Sequence, residues 1–349
     1  MLKDAIALAA GYADMKQSAF AVYHNLLLDE GVVRARTADC GIEVSCPEVL
    51  VRAAVPASDL KRMVPALGGE CALTVKRGHL YITSGLGEHK LKTAKDDQIP
   101  EYPTPPDDGW RPVSANEVRV LSVVATMADR TDSAAGMTSA VRLTPSWVAA
   151  CVPTTLAFGW VAGMVSKPVC VPVAFLQGLE GEVEVAAEGR TIWVREVGGP
   201  SVRWSHQIEG SWPDGLCEST IMSARSHPKR VSYSAELSSL RALVGAASAA
   251  EKGMPGKGHK LTFSDGRVSM EAEGHGQRFQ GSIAAPVECP EPRVIGVSPS
   301  RLAAVLKALD AAHDGESDLF VSIGDTVDPF LCWGGTPSIE IAMMPMTLI

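Results

Sequence analysis

The sequence reads as an α+β protein in which helices cover one face of antiparallel sheets. Three observations say so: a pattern that recurs three times, short runs alternating apolar and polar residues between Gly and Asp, and amphipathic stretches ahead of each set of runs. A helix stripe and a half-buried sheet each bury their apolar side against the other, which gives two layers.

The elements follow in order. Residues 2–12 predict a helix, with Leu2, Ile6 and Ala9 on one stripe. Strand-like text follows at 26–35 and 41–46. The run 55–64 then passes from extended chain into a second helix and resembles 297–306, with a shorter version at 169–179. Alternating runs come after each: 71–76, 79–84 and 88–93; 182–187, 191–196 and 201–206; 318–323, 329–333 and 338–343. Residues 116–127 are the helix candidate of the middle third, with Val118, Leu121 and Ala125 aligned. Residues 235–250 play that part in the last third, with Leu237, Leu240, Val244 and Ala247 aligned. There, 260–263 and 267–273 meet across Ser264-Asp265-Gly266, a hairpin signature, and 277–283 returns. A Pro-rich stretch at 99–112 and a polar stretch at 212–229 with two prolines read as linkers. The expected domains are 1–111, 112–226 and 227–349, each with two helices on one face and antiparallel sheets on the other.

Length fits this division, since 349 residues exceed what one core usually holds. The formal net charge of -8 opposes adhesion to nucleic acid over the whole surface, so any DNA contact must be a local positive face. No apolar run is long enough to span a membrane, and no secretory leader is visible, so a cytoplasmic protein is expected. The eight cysteines contain no Cys-x-x-Cys pair and read as small buried apolar residues.

Three patches carry a family resemblance. In the first third, Leu80-Tyr81-Ile82-Thr83-Ser84-Gly85 and His89-Lys90-Leu91-Lys92-Thr93 are followed by Ile99-Pro100-Glu101-Tyr102-Pro103. Thr37-Ala38-Asp39 stands earlier, and Met344-Pro345-Met346-Thr347-Leu348 near the end. These resemble the bacterial beta sliding clamp, the processivity subunit of DNA polymerase III. That family has a strand pair closed by Phe-Pro-x-x-Pro, an Ala-Thr-Asp strand end and a terminal Met-Pro-Met-Arg-Leu. The middle third departs most: Val152-Pro153-Thr154-Thr155-Leu156 stands where the family has Asp-Gly-His-Arg-Leu and keeps only the Leu. The resemblance implies a divergent member, cellular or phage-encoded.

The resemblance implies the DNA clamp fold and a head-to-tail homodimer whose six domains ring duplex DNA, helices inward. It implies no catalytic activity, no cofactor and no membrane. The implied partners are double-stranded DNA read without sequence preference, the replicative polymerase and the clamp loader. The helices supply candidate DNA-facing cations. Arg62, Arg119 and Lys307 lie opposite apolar stripes, and Lys3 and Arg241 lie nearer stripe edges. The family's partner-peptide pocket maps to Leu156, Met344, Pro345, Met346 and Leu348. Methionines suit a pocket that serves several peptides, because the thioether side chain repacks cheaply.

Other classes fit less well. Gly253-Met254-Pro255-Gly256-Lys257-Gly258 is Gly-rich but lacks the Lys-Ser/Thr ending of a phosphate loop. The histidines show no zinc spacing. A clamp-fold protein that binds replication partners without encircling DNA is the alternative, and native mass separates the two.

Overall fold

The structure is a computed structural model. It describes residues 2–13, 21–66, 70–95, 99–128, 139–210, 212–226, 231–250, 258–274, 276–285, 292–312, 318–324, 329–334, 339–346 and 348.

One sequence of elements recurs three times. The first round is helix α1 (Leu2–Ala10), strands β1 (Asn25–Asp29), β2 (Val32–Arg36), β3 (Cys40–Ser45) and β4 (Arg52–Pro56), and helix α2 (Ala57–Met63). A meander of β5 (Cys71–Lys76), β6 (His79–Ser84) and β7 (Gly87–Lys92) completes it. The second round opens on a strand, β8 (Arg111–Val113), before α3 (Ala115–Thr126). It continues through β9 (Ala140–Leu143), β10 (Trp147–Val152), β11 (Thr155–Trp160), β12 (Val169–Pro172) and α4 (Val173–Leu176) to β13 (Val183–Glu188), β14 (Thr191–Glu196) and β15 (Ser201–His206). Helix α5 (Asp214–Ser226) intervenes. The third round is β16 (Val231–Glu236), α6 (Leu237–Ala250), β17 (His259–Ser264), β18 (Arg267–Gly274), β19 (Gln277–Ala284), β20 (Arg293–Val297), α7 (Pro299–Ala312), β21 (Asp318–Ile323), β22 (Phe330–Trp333) and β23 (Ile339–Met343).

Local chemistry explains the boundaries. Proline marks the start of each second helix: Pro56 and Pro172 are the N-caps of α2 and α4, and Pro299 opens α7. Its fixed φ suits the turn from strand to helix, and its missing N–H costs nothing in the first turn. Helix α4 stops after one turn, and Gly178 follows with φ +66°. The apolar stripes face inward as spaced: Val118, Leu121 and Ala125 on α3, Leu240, Val244 and Ala247 on α6, and Leu302, Val305, Leu306 and Leu309 on α7 are buried.

Four sequence expectations are corrected. Residues 26–35 form not one strand but a hairpin, turned by Glu30 (φ 35°) and Gly31 (φ 97°). The end of the first supposed linker, Arg111–Val113, is strand β8 at a sheet edge, where Pro112 needs no ladder donor. Ala235 and Glu236 belong to β16, so α6 starts at Leu237; the Ser238 and Ser239 hydroxyls donate to the Glu236 carboxylate at that junction. The second supposed linker holds the 13-residue helix α5.

The chain divides into two compact units, Met1–Ser114 with Glu180–Ile208, and Ala115–Leu179 with Glu209–Ile349. Each contains one eight-stranded sheet. The first unit has the order β4-β1-β2-β3-β15-β14-β13-β8 and the second β12-β9-β10-β11-β23-β22-β21-β16. Both are built alike. A four-strand set from one round joins the meander of the next through an antiparallel pair, β3 with β15 and β11 with β23. Two sheets remain, β5-β6-β7 in the first unit and β19-β18-β17-β20 in the second.

Helices lie on the sheets. In the first unit α1 packs on β2 and β3 and against α2; in the second, α3 packs on β10 and β11, and α4, α3, α7 and α6 touch in succession. Gly159 on β11 permits the close approach of α3, since a Cβ there would collide with Val120.

Candidate functional site

Charge distinguishes the helix layer. Helices α1, α2, α3, α4, α6 and α7 carry seven basic and four acidic side chains. The other residues, α5 included, therefore hold 25 basic against 36 acidic, so these six helices are positive in a chain of net charge -8. The predicted cations are not equivalent. In the first unit, Lys3 is half-buried, and Arg62 is exposed with its guanidinium 2.5 Å from Asp59. In the second unit, Lys307 is exposed, Arg119 is half-buried, and Arg241 forms an ion pair with Asp310. Arg301, exposed in the first turn of α7, was not among the predicted residues; six positions before Lys307, it lies roughly a third of a turn round the helix from it, toward the apolar stripe.

The second candidate site lies where β23 ends. The Met344 amide donates to the Thr154 carbonyl at 2.9 Å, continuing the ladder to the β10–β11 turn. Pro345 has no N–H, and pairing then changes partner: the Met346 amide donates to Gly296 on β20 at 2.8 Å. Leu348 bridges Gly258 beside β17. Gly296 must be glycine for this, because a Cβ would collide with the Met346 carbonyl. Arg301 donates to the Thr154 hydroxyl at 2.5 Å, tying the first turn of α7 to the same place.

The predicted pocket residues thus fall on two supports. Leu156 is buried on β11 in register with Ala342, which puts it on the same face as Met344, two residues on. Met346 and Leu348 are carried to the four-stranded sheet. Met344 and Leu348 are 44% and 41% exposed, so both offer apolar surface to solvent. Thr347, and most of the Gly-rich stretch 253–258, lie outside the described residues.

Helix α5 borders this region. Arg142 on β9 grips Asp214 through Nε and Nη2 at 2.9 and 2.5 Å. The Trp147 indole donates to Glu218 at 3.0 Å, and Arg225 pairs with Glu340 on β23. Arg142, Trp147 and Glu340 project from the face opposite Gly159, so α5 covers the side of the sheet away from α3. Sequence reading missed α5. Its signal was Cys217, Ile221 and Ala224, buried at helical spacing after Pro213-Asp214.

No convergent set of metal ligands occurs among the described residues, and no described helix is long and apolar enough to cross a membrane.

No protein-family profile matches the chain, and no curated protein matches it in sequence. Solved structures do match. The DNA polymerase sliding clamp of Bacillus subtilis has a TM-score of 0.79 at 15% identity, over 100% of this chain and 97% of that one. The chain has the sliding-clamp fold. The DNA polymerase III subunit beta of Pseudomonas aeruginosa matches at TM-score 0.75 and 17% identity, over 99% and 98% of the two chains. The Helicobacter pylori beta clamp, solved in complex with 5-chloroisatin, matches at 0.74 and 14%, over 99% and 98%. Identities this low carry the architecture alone.

Proposed function

We propose that this chain is a DNA sliding clamp: two copies close head to tail into a ring around duplex DNA and tether a replicative polymerase to it. One observation carries the reading. Within the chain, each four-strand set joins the meander of the following round, β3 with β15 and β11 with β23. One set and one meander are left over, with outer strands β19 and β7. The joined strands are largely buried, whereas β7 and β19 alternate exposed and half-buried residues, as unpaired edges do. The rule that makes the two internal joints makes a third if β19 of one copy pairs with β7 of another. Made twice, that contact closes a two-chain assembly.

On this reading the domains are 1–111, 112–226 and 227–349, and six of them form the ring. The positive helices supply sequence-independent phosphate contacts, few enough to let the ring slide. Lys3, Arg62, Arg119, Arg241 and Lys307 are the proposed contacts. Leu156, Met344, Pro345, Met346 and Leu348 form the proposed seat for polymerase and clamp-loader peptides. The chain catalyses nothing, and its place of work is the cytoplasm.

The experiment is light scattering across a dilution series, paired with amide hydrogen exchange. The mass should be twice 36.8 kDa, and amides of β7 and β19 should lose protection together as the dimer dissociates. A monomer at every concentration, or a dimer in which those two strands exchange freely, overturns the proposal.

A further inference from the structure

The three rounds differ at their opening strand. Strand β8 precedes α3 and lies antiparallel along β13; β16 precedes α6 and lies antiparallel along β21. Among the described residues no strand lies along β5, the corresponding strand of the first round. Burial records the difference. Val183 and Val185 on β13 and Val321 and Ile323 on β21 are at most 3% exposed. On β5, Leu73 is half-buried and Val75 is 40% exposed, although Ile82 and Leu80 opposite them are buried completely.

The opposite face of this small sheet is basic. Lys76, His79 and Lys92 stand in one cross-strand row, and Thr74, Tyr81 and Lys90 in the next, with the Lys90 ammonium over the Tyr81 ring. Lys76 and Lys92 flank His79, so the row holds two positive charges and no carboxylate, and among the described residues no further strand stands beyond Lys76. A carboxylate there relieves the row. An apolar side chain on the other face covers Val75 and Leu73 as the neighbours of β13 and β21 cover theirs.

We propose that the outer edge of β5 is a docking site for an extended segment of a partner protein. That segment adds a fourth antiparallel strand and alternates apolar with acidic residues. Strand addition draws its affinity from main-chain hydrogen bonds and its selectivity from alternate side chains. Here the internal strands β8 and β16 show that the geometry accepts a strand, and the lysine row sets the sign of its charge. The site is separate from the β7 edge proposed for ring closure, and from the peptide seat at Met344.

The test uses two acetylated, amidated hexapeptides, alternating Val with Glu and Val with Lys, added to the full-length protein. Residue-resolved hydrogen exchange of β5 is the readout. The Val/Glu peptide should slow exchange across 71–76 at least tenfold, while the Val/Lys peptide should not. In the Lys76→Glu variant the preference should reverse. Three results overturn the proposal. Amides of β5 already as protected as those of β13 and β21 mean that this chain covers the edge itself. Protection that rises with protein concentration alone means that a second copy does. No protection by either peptide means that the edge takes no such strand. Since β7 and β19 are monitored in the same experiment, failure at β5 leaves the ring proposal untouched, and failure of the ring leaves β5 to be judged separately.

Discussion

At the scale of single residues, the helix cations differ by what already holds them. Arg241 is engaged by Asp310, whereas Lys307 is exposed. A side chain with a carboxylate partner releases fewer counterions from DNA than an unengaged one. Lys307→Ala should therefore lower the slope of log affinity against log salt by about 0.9, the value for one phosphate contact. Arg241→Ala should lower it by less; equal losses would show that the Asp310 pair opens on DNA. Gly296 controls the terminal segment in another way. Gly296→Val should push Met346 off β20 and weaken a polymerase-derived clamp peptide by ~1.4 kcal/mol or more, a tenfold loss, with the dimer intact; calorimetry and light scattering report both. His206 offers a pH signature. Burial, then the nearby Arg36 guanidinium, hold its pKa below the ordinary value. The unfolded chain, near pH 6.5 for histidine, then binds the proton more readily than the folded one, so stability falls as pH drops through and below that value. Urea midpoints between pH 8 and 5.5 should decline less steeply in His206→Asn than in the parent.

At the scale of elements, sequence reading succeeded where periodicity and punctuation agreed. β6, β14, β15 and β21 fall where alternation placed them, because each is bounded by Gly, Asp or Pro. It failed at α5. The 212–229 stretch looks polar, since the helix buries a narrow stripe, and ion pairs join that stripe in fastening it to the sheet. Such pairs join residues far apart in the chain, Arg142 to Asp214 and Glu340 to Arg225, and no local pattern announces them. Their energetic weight is testable. The Arg142 side chain is only 13% exposed, and Asp214 supplies both oxygens of its fork. Asp214→Ala should cost about 1.5–3 kcal/mol, the range for a hydrogen-bonded charge left unpaired. Urea denaturation measures it, and a loss below about 0.5 kcal/mol would show that α5 is held by its apolar stripe alone.

For the molecule as a whole, the threefold recurrence was legible and the joints were not. Alternation identifies strands without saying which strand of another round each will meet, so the β3–β15 and β11–β23 pairs became visible only in three dimensions. Likewise the Met-Pro-Met text near the end drew attention to this segment, but its division between two sheets depends on Gly296, which no motif singled out. Those joints support the central claim that two copies complete the pattern around DNA. The most direct measurement is topological. The dimer is mixed with plasmid at a concentration low enough for rings to open, then closed by cross-linking through cysteines placed in β7 and β19. The mixture is washed in high salt. Protein should stay on closed circular plasmid and leave when one restriction cut makes it linear, because only threading, not affinity, resists the wash. Equal loss from circular and linear DNA would contradict the ring.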